Sequence, residues 1–214
     1  MATNEPSSLR DEMRRILAIA VSLANLTDRD FTVLRKMADV CVPWAEEVAA
    51  EIRAILEANE ATRIYIPTYL DGDPAGWYRD LFHAPDLQTF WFQQMNLAVE
   101  HVRNDVPNGV VVGLAPRWIN LLAQRAQRYL PPDQAQLFTQ VMPRILSGTV
   151  TVMVATHEMV MMRTFMQETG FSKKLVKRLQ QNTLKSFVQQ MLEEQQKCKE
   201  EAESSGGPPA LRAN

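Results

Sequence analysis

The sequence predicts an all-α fold, and three observations carry that prediction. Glycine is scarce, at 8 of 214 residues. The good helix formers Leu, Ala, Met, Glu, Gln and Arg are abundant. Apolar residues recur at three- and four-residue spacing, while strand-like alternation is almost absent. With 46% of its residues hydrophobic, the chain can bury a real core as one large domain, or one domain plus an appendage.

Residues 1–8 are expected to be disordered. Leu9, Met13, Ile16, Leu17, Ala20 and Leu23 mark a first amphipathic helix ending near Asn25. Thr27 and Asp30 approximate a capping box, with Asp in the place usually held by Glu. They open a second helix to about Val40, with Phe31, Leu34 and Met37 inward. Pro43 suits a first helical position and opens Trp44–Ala58, with Val48, Ile52, Ile55 and Leu56 inward. Residues 59–73 are the least regular stretch, yet Ile64, Tyr65, Ile66 and Tyr69 are too apolar for a simple exposed loop and are expected to cover something. Gly72-Asp73-Pro74 turns the chain into a short helix holding Trp77, Tyr78, Leu81 and Phe82.

A central helix follows, from Asp86 to about Asn104. Pro107, Asn108, Gly109 and Gly113 make Asn104–Ala115 a loop, with its run of valines against a cavity. Pro116 begins the next helix, with Trp118, Leu121, Leu122, Ala126 and Tyr129 inward. Pro131-Pro132-Asp133 separates it from a long helix, Gln134 to about Thr169, kinked early by Pro143. Its section Ile145–Met162 is apolar nearly all round, so burial on most sides is expected. Gly170 stops it. Phe171–Glu203 is a different kind of helix, with Leu175, Leu179, Leu184, Phe187, Val188 and Met191 as one narrow stripe among Lys, Gln and Glu. That stripe predicts pairing with another helix, its own copy or a partner. The domain is thus residues 9–170, the appendage 171–203, and 204–214 a disordered tail.

Charge excludes several classes of partner. The formal net charge is −2, so no strong field steers the chain to nucleic acid or anionic lipid. The basic patch of Lys173, Lys177, Arg178 and Lys185 has no interleaved aromatics and reads as a solvated helix face. Cys41 and Cys198 are far apart and read as free thiols of a reducing compartment. No run of eighteen apolar residues predicts a membrane span. The N-terminus lacks secretory and transit patterns, so a cytoplasmic protein is expected.

The stretch from Trp77 to Trp118 organises the rest. On its central helix, Leu87, Trp91, Met95, Ala98 and Val102 form an apolar stripe. His101 lies about 60° to one side of the middle of that stripe, beside Phe90, Gln94 and Leu97. A histidine there, near a helix C-terminus, can point its ring into an apolar cavity.

Six to eight helices with a lone histidine near the end of a mid-chain helix, then two long helices, follow globin order. The segment WYRDLFHAPDLQTFW (77–91) with Leu97-Ala98-Val99-Glu100-His101 resembles the sensor globins, the haem domains of globin-coupled sensors and protoglobins. Ala98 stands where that family has glycine in its Ile-Gly-x-x-His element. The following HVRNDVPNGVVVGLAPRW is similar to the family's loop into Gly-Leu-x-Pro-Arg-Trp, and Val106-Pro107 matches the longer insertion of protoglobins. The resemblance covers roughly residues 27–165. It implies a globin-like helical sandwich with an extra N-terminal helix and a C-terminal amphipathic helix. It also implies haem b, its iron held by His101, and reversible binding of oxygen, carbon monoxide or nitric oxide, as a gas binder or a sensor that signals to a separate protein. Dimerisation through the last helices is common in the family, and Ile145–Met162 suits such a contact. One departure matters: Glu51-Ile52 stands where many sensor globins carry an aromatic pair with a distal tyrosine, so Tyr65 or Tyr69 must supply any hydroxyl.

Haem iron needs one strong axial donor and a dry pocket, and neutral imidazole is such a donor. The second ring nitrogen of His101 is expected to bond the Leu97 carbonyl one turn back. Trp44, Ile52, Tyr65, Tyr69, Phe90, Met95 and Val111 are the candidate pocket walls, and ordinary core packing is the competing role for each. His83 and His157 lack the right neighbours and read as structural, and the three histidines do not have zinc-site spacing. Met153, Met159, Met161, Met162 and Met166 read as adaptable filler. Two rivals stand beside the gas binder. One is a haem-free regulatory or scaffold module; the other is a nitric-oxide dioxygenase or peroxidase, and for a peroxidase the sequence offers no distal acid–base pair.

Overall fold

A computed structural model describes residues 8–83 and 87–204, and its regular elements are all helical. The expectations for the two chain ends, and for the start of the central helix at Asp86, fall outside the described residues. Helix α1, Leu9–Leu23, is capped by Ser8, whose side chain accepts from the Asp11 amide at 3.1 Å. It buries Ile16 and Ala20, while Leu9 and Leu23 at its two ends face solvent. Helix α2, Asp28–Lys36, starts with the capping box: the Thr27 amide donates to Asp30 Oδ2 at 2.7 Å. Asp30 is only 2% exposed and also pairs with Arg144, so the cap and the long helix share one carboxylate. The single helix expected to run to Val40 breaks at Met37 into α3, Ala38–Cys41. Pro43 sits in a 3₁₀ turn, Val42–Trp44, that leads into α4, Ala45–Glu57.

Residues 59–73 are more ordered than their composition suggests. They form α5, Glu60–Arg63, and α6, Ile66–Asp71. Asn59 caps α5, and the Thr62 hydroxyl and Arg63 guanidinium donate to the last carbonyls of α4, at Leu56 (2.8 Å) and Glu57 (3.0 Å). These bonds satisfy the orphan acceptors of α4 and hold the next segment against it. Ile64 covers nothing; it is 69% exposed. Helix α7, Pro74–His83, and α8, Leu87–Arg103, follow.

The expected loop at Asn104–Ala115 is mostly helix. Helix α9 runs from Asn108 to Tyr129 through Gly109, Gly113 and Pro116. Tertiary packing overrides propensity here, because Leu114 and Trp118 pack into the core from this first half. Pro116 cannot donate to the carbonyl of Val112, but Val112 lies on the exposed side of the helix, where water can take that bond.

Helix α10, Pro132–Thr169, is continuous through Pro143. Its burial is concentrated between Ala135 and Thr156, and Met161 and Phe165 beyond are exposed. The section Ile145–Met162 is therefore not buried on most sides throughout. The part that is buried serves the core: a Cβ on Gly148 would sit 2.5 Å from Leu26 and 3.0 Å from Trp91. By length and composition α10 could cross a membrane, at a mean hydropathy of 1.4, with 39% of that stretch buried. Gly170, at φ +67°, ends it as expected.

Helix α11 spans Lys173–Ser204. The chain divides into two compact units, residues 1–161 and 162–214. In the first, Phe31 packs edge-on against Phe90 (5.3 Å between centroids) and Trp91 (6.3 Å), and Trp44 against Phe138 (6.2 Å). In α11, Leu175 and Leu179 do not share the stripe of Leu184, Phe187, Val188 and Met191. At 100° per residue Leu175 lies about 180° from Leu184, and Leu179 about 140° from it. The expected single stripe is two separate faces.

Candidate functional site: an apolar cavity with one histidine

The end of α8 is fixed before any ligand is considered. Asp105 takes a left-handed conformation (φ +51°), and the Val106 amide donates to the His101 carbonyl at 2.9 Å. The Asp105 amide donates to Val102 at 3.3 Å, completing a Schellman-type cap. The cap pins the backbone of His101 and tucks Val106 beneath it, 3% exposed. Further back on α8, buried Gln94 accepts from Trp77 Nε1 at 2.9 Å and donates to the Phe90 carbonyl at 3.3 Å. Helices α7 and α8 are thereby locked in register.

These elements enclose a cavity of about 130 Å³ that opens to the surface. Leu97 and His101 of α8 form one wall; Tyr65, Thr68 and Tyr69 at the start of α6 another. The first turns of α9 contribute Val110, Val111 and Leu114, and α10 contributes Leu146, Thr149, Val150 and Met153. Trp77 and Trp118, the two ends of the organising stretch, meet edge to face at 5.2 Å and also line it.

Four of the eight sequence candidates come together in this cavity: His101, Tyr65, Tyr69 and Val111. The other four do not. Ile52 is fully buried in the core on α4, and Met95 faces the core one and a half turns before His101. Trp44 is committed to Tyr129 and Phe138, and Phe90 to Phe31 and Trp91. All four are apolar residues packed into the core, and periodicity alone cannot tell a core contact from a cavity wall. Glu51, where a distal aromatic residue was sought, pairs at the surface with Arg125. Sequence reasoning missed the α10 wall, although Leu146, Thr149, Val150 and Met153 repeat at helical spacing.

The two tyrosines differ. Tyr69 donates its hydroxyl to the Ala49 carbonyl at 3.0 Å, and burial pushes its pKa up. It is a brace between α6 and α4. Tyr65 makes no side-chain hydrogen bond among the described residues. For His101, burial lowers the pKa below its ordinary 6.5, and the charge of His157 lowers it further. The ring is a neutral donor near pH 7. The expected bond to the Leu97 carbonyl is not formed, so the tautomer is not fixed that way. His83 is exposed at the end of α7 and does not line the cavity.

No group of three or more His, Cys, Asp or Glu side chains is placed to hold a metal ion among the described residues. Cys41 and Cys198 are both free. Burial pushes the Cys41 thiol up to about 12, which makes it unreactive. What the cavity offers is one neutral nitrogen base in an apolar recess. Fold and site together define a helical protein with a ligand-sized apolar cavity. No family model, no curated protein and no solved structure matches the chain.

Proposed function

We propose that this chain is a globin-like haem protein that reversibly binds a diatomic gas, with His101 as the axial ligand. The observation that carries the reading is the position of His101: a neutral imidazole on a cavity wall otherwise dominated by apolar side chains. The resemblance of residues 77–118 to the sensor globins supports it, since the elements of that motif converge on the cavity. Haem held there would supply an iron able to bind oxygen, carbon monoxide or nitric oxide. His101 would hold it, Leu97, Val111 and Leu114 would exclude water, and Tyr65 would offer a hydroxyl to a polar ligand, beside the unpartnered Thr149 hydroxyl on the α10 wall. Gas sensing through a separate protein is the biological role we infer.

The donor chemistry fits haem better than the volume does. An enclosed space of about 130 Å³ is close to the ~150 Å³ void that holds one benzene. A tetrapyrrole would therefore extend through the open side. This mismatch, with Tyr69 already engaged, favours a second reading: a haem-free helical module acting through protein contacts.

Haem titration of the full-length protein separates the two. The gas-binder reading predicts one equivalent bound, a Soret band, and a shift of that band with carbon monoxide after reduction. Tyr65→Phe should then speed oxygen dissociation by about tenfold, one hydrogen bond's worth, while Tyr69→Phe leaves it unchanged. No Soret band after haem is supplied would sink the gas-binder reading and leave the scaffold.

A further inference from the structure

Helix α11 carries an apolar face that is at least half exposed. Leu184, Phe187, Val188, Met191 and Leu192 are each 50–59% exposed, and on one helix they share a sector about 140° wide. Such a face seeks a partner, and charge identifies which. Placed in a heptad with Leu184 at a and Phe187 at d, the seam continues through Gln180 and Lys177 toward the N-terminus, and through Met191 and Glu194 toward the C-terminus. The whole helix repeats that polarity: residues 173–185 hold five basic residues and no acid, while 193–203 hold five acids and two lysines.

We propose that α11 pairs antiparallel with α11 of a second copy of this chain. In that orientation an a position faces a d position, so Leu184 of each copy meets Phe187 of the other, and Lys177 meets Glu194. Lys177 at the seam then gains a counter-charge, and Arg178 lies level with Glu193 of the other copy. A parallel pair would stack Lys177 on Lys177 and Glu194 on Glu194, which costs rather than stabilises. In the single chain Glu194 makes only an exposed contact with Lys197, at 2.7 Å, which is cheap to exchange. The inference concerns the unit beyond Met161 and is independent of any cofactor at His101.

The test is sedimentation velocity on the full-length protein over a concentration series. The wild type should pass from monomer to dimer, and Phe187→Glu should remain monomeric with unchanged helicity, since Phe187 is 55% exposed. Lys177→Glu should weaken the dimer about three- to tenfold, as two symmetry-related pairs are lost and become repulsive. Adding Glu194→Lys in the same chain should restore it to within about twofold of wild type. A wild type that stays monomeric, a Phe187→Glu variant that still dimerises, or a double variant that is not rescued would each overturn the proposal.

Discussion

An imidazole buried beside another histidine resists protonation, because the charged form loses hydration and meets a like charge. This is the situation of His101, whose pKa falls below 6.5 through burial first and the charge of His157 second. The unfolded chain binds its proton near 6.5 and the folded chain only at lower pH. Between those values the unfolded state holds more protons, so stability rises with pH there and is lost as pH falls. Replacing His101 by Leu removes that contribution. Melting curves from about pH 8 to about pH 5 should show a steeper acid-side loss in the wild type than in His101→Leu. Parallel curves would mean that His101 is hydrated and not held as described. At the same scale, Tyr69 shows how one hydrogen bond decides a role. Its bond to Ala49 commits the hydroxyl while the ring still lines the cavity, and nothing in the sequence marks that bond.

At the scale of elements, two glycines of helix interiors have opposite meanings. Gly148 lets α10 approach Leu26 and Trp91, with no room for a Cβ; Gly113 on α9 has nothing within 4 Å of where one would be. Gly148→Ala should destabilise the protein by about 1–3 kcal/mol through overpacking. Gly113→Ala should stabilise it by up to about 1 kcal/mol through helix propensity. Urea unfolding of both variants checks the pair, and a stabilised Gly148→Ala would contradict the packing described. The same two residues show what was legible in the sequence. Helical periodicity located α1, α4, α7, α8 and α10 and the inward positions of α2 and α4, because burial stamps its spacing on the chain. The helix across residues 108–115 is masked in the sequence by Gly109, Gly113 and Pro116, which are local breaker signals. They are outweighed by packing from Leu114 and Trp118, which a local reading does not weigh. The second α11 face was hidden for a simpler reason: Leu175 and Leu184 look alike in sequence but sit on opposite sides of the helix.

At the scale of the whole molecule, one compact unit holds the cavity and the second carries the exposed apolar face of α11. The first has the makings of ligand chemistry and the second of assembly. Of the sequence candidates, His101, Tyr65, Tyr69 and Val111 share the cavity because their helices converge there. Trp44, Ile52, Phe90 and Met95 face the core, since an apolar residue carries no mark of which neighbour it serves.

The central claim is that His101 is the group by which this cavity holds its ligand, and a cavity rescue tests it most directly. His101→Gly removes the imidazole and leaves space for a free one. Full-length protein supplied with haem should show a Soret band that shifts with carbon monoxide, lost or altered in His101→Gly and restored to the wild-type spectrum by added imidazole. A His101→Gly protein that keeps the wild-type spectrum without imidazole would place the axial ligand elsewhere and contradict the account.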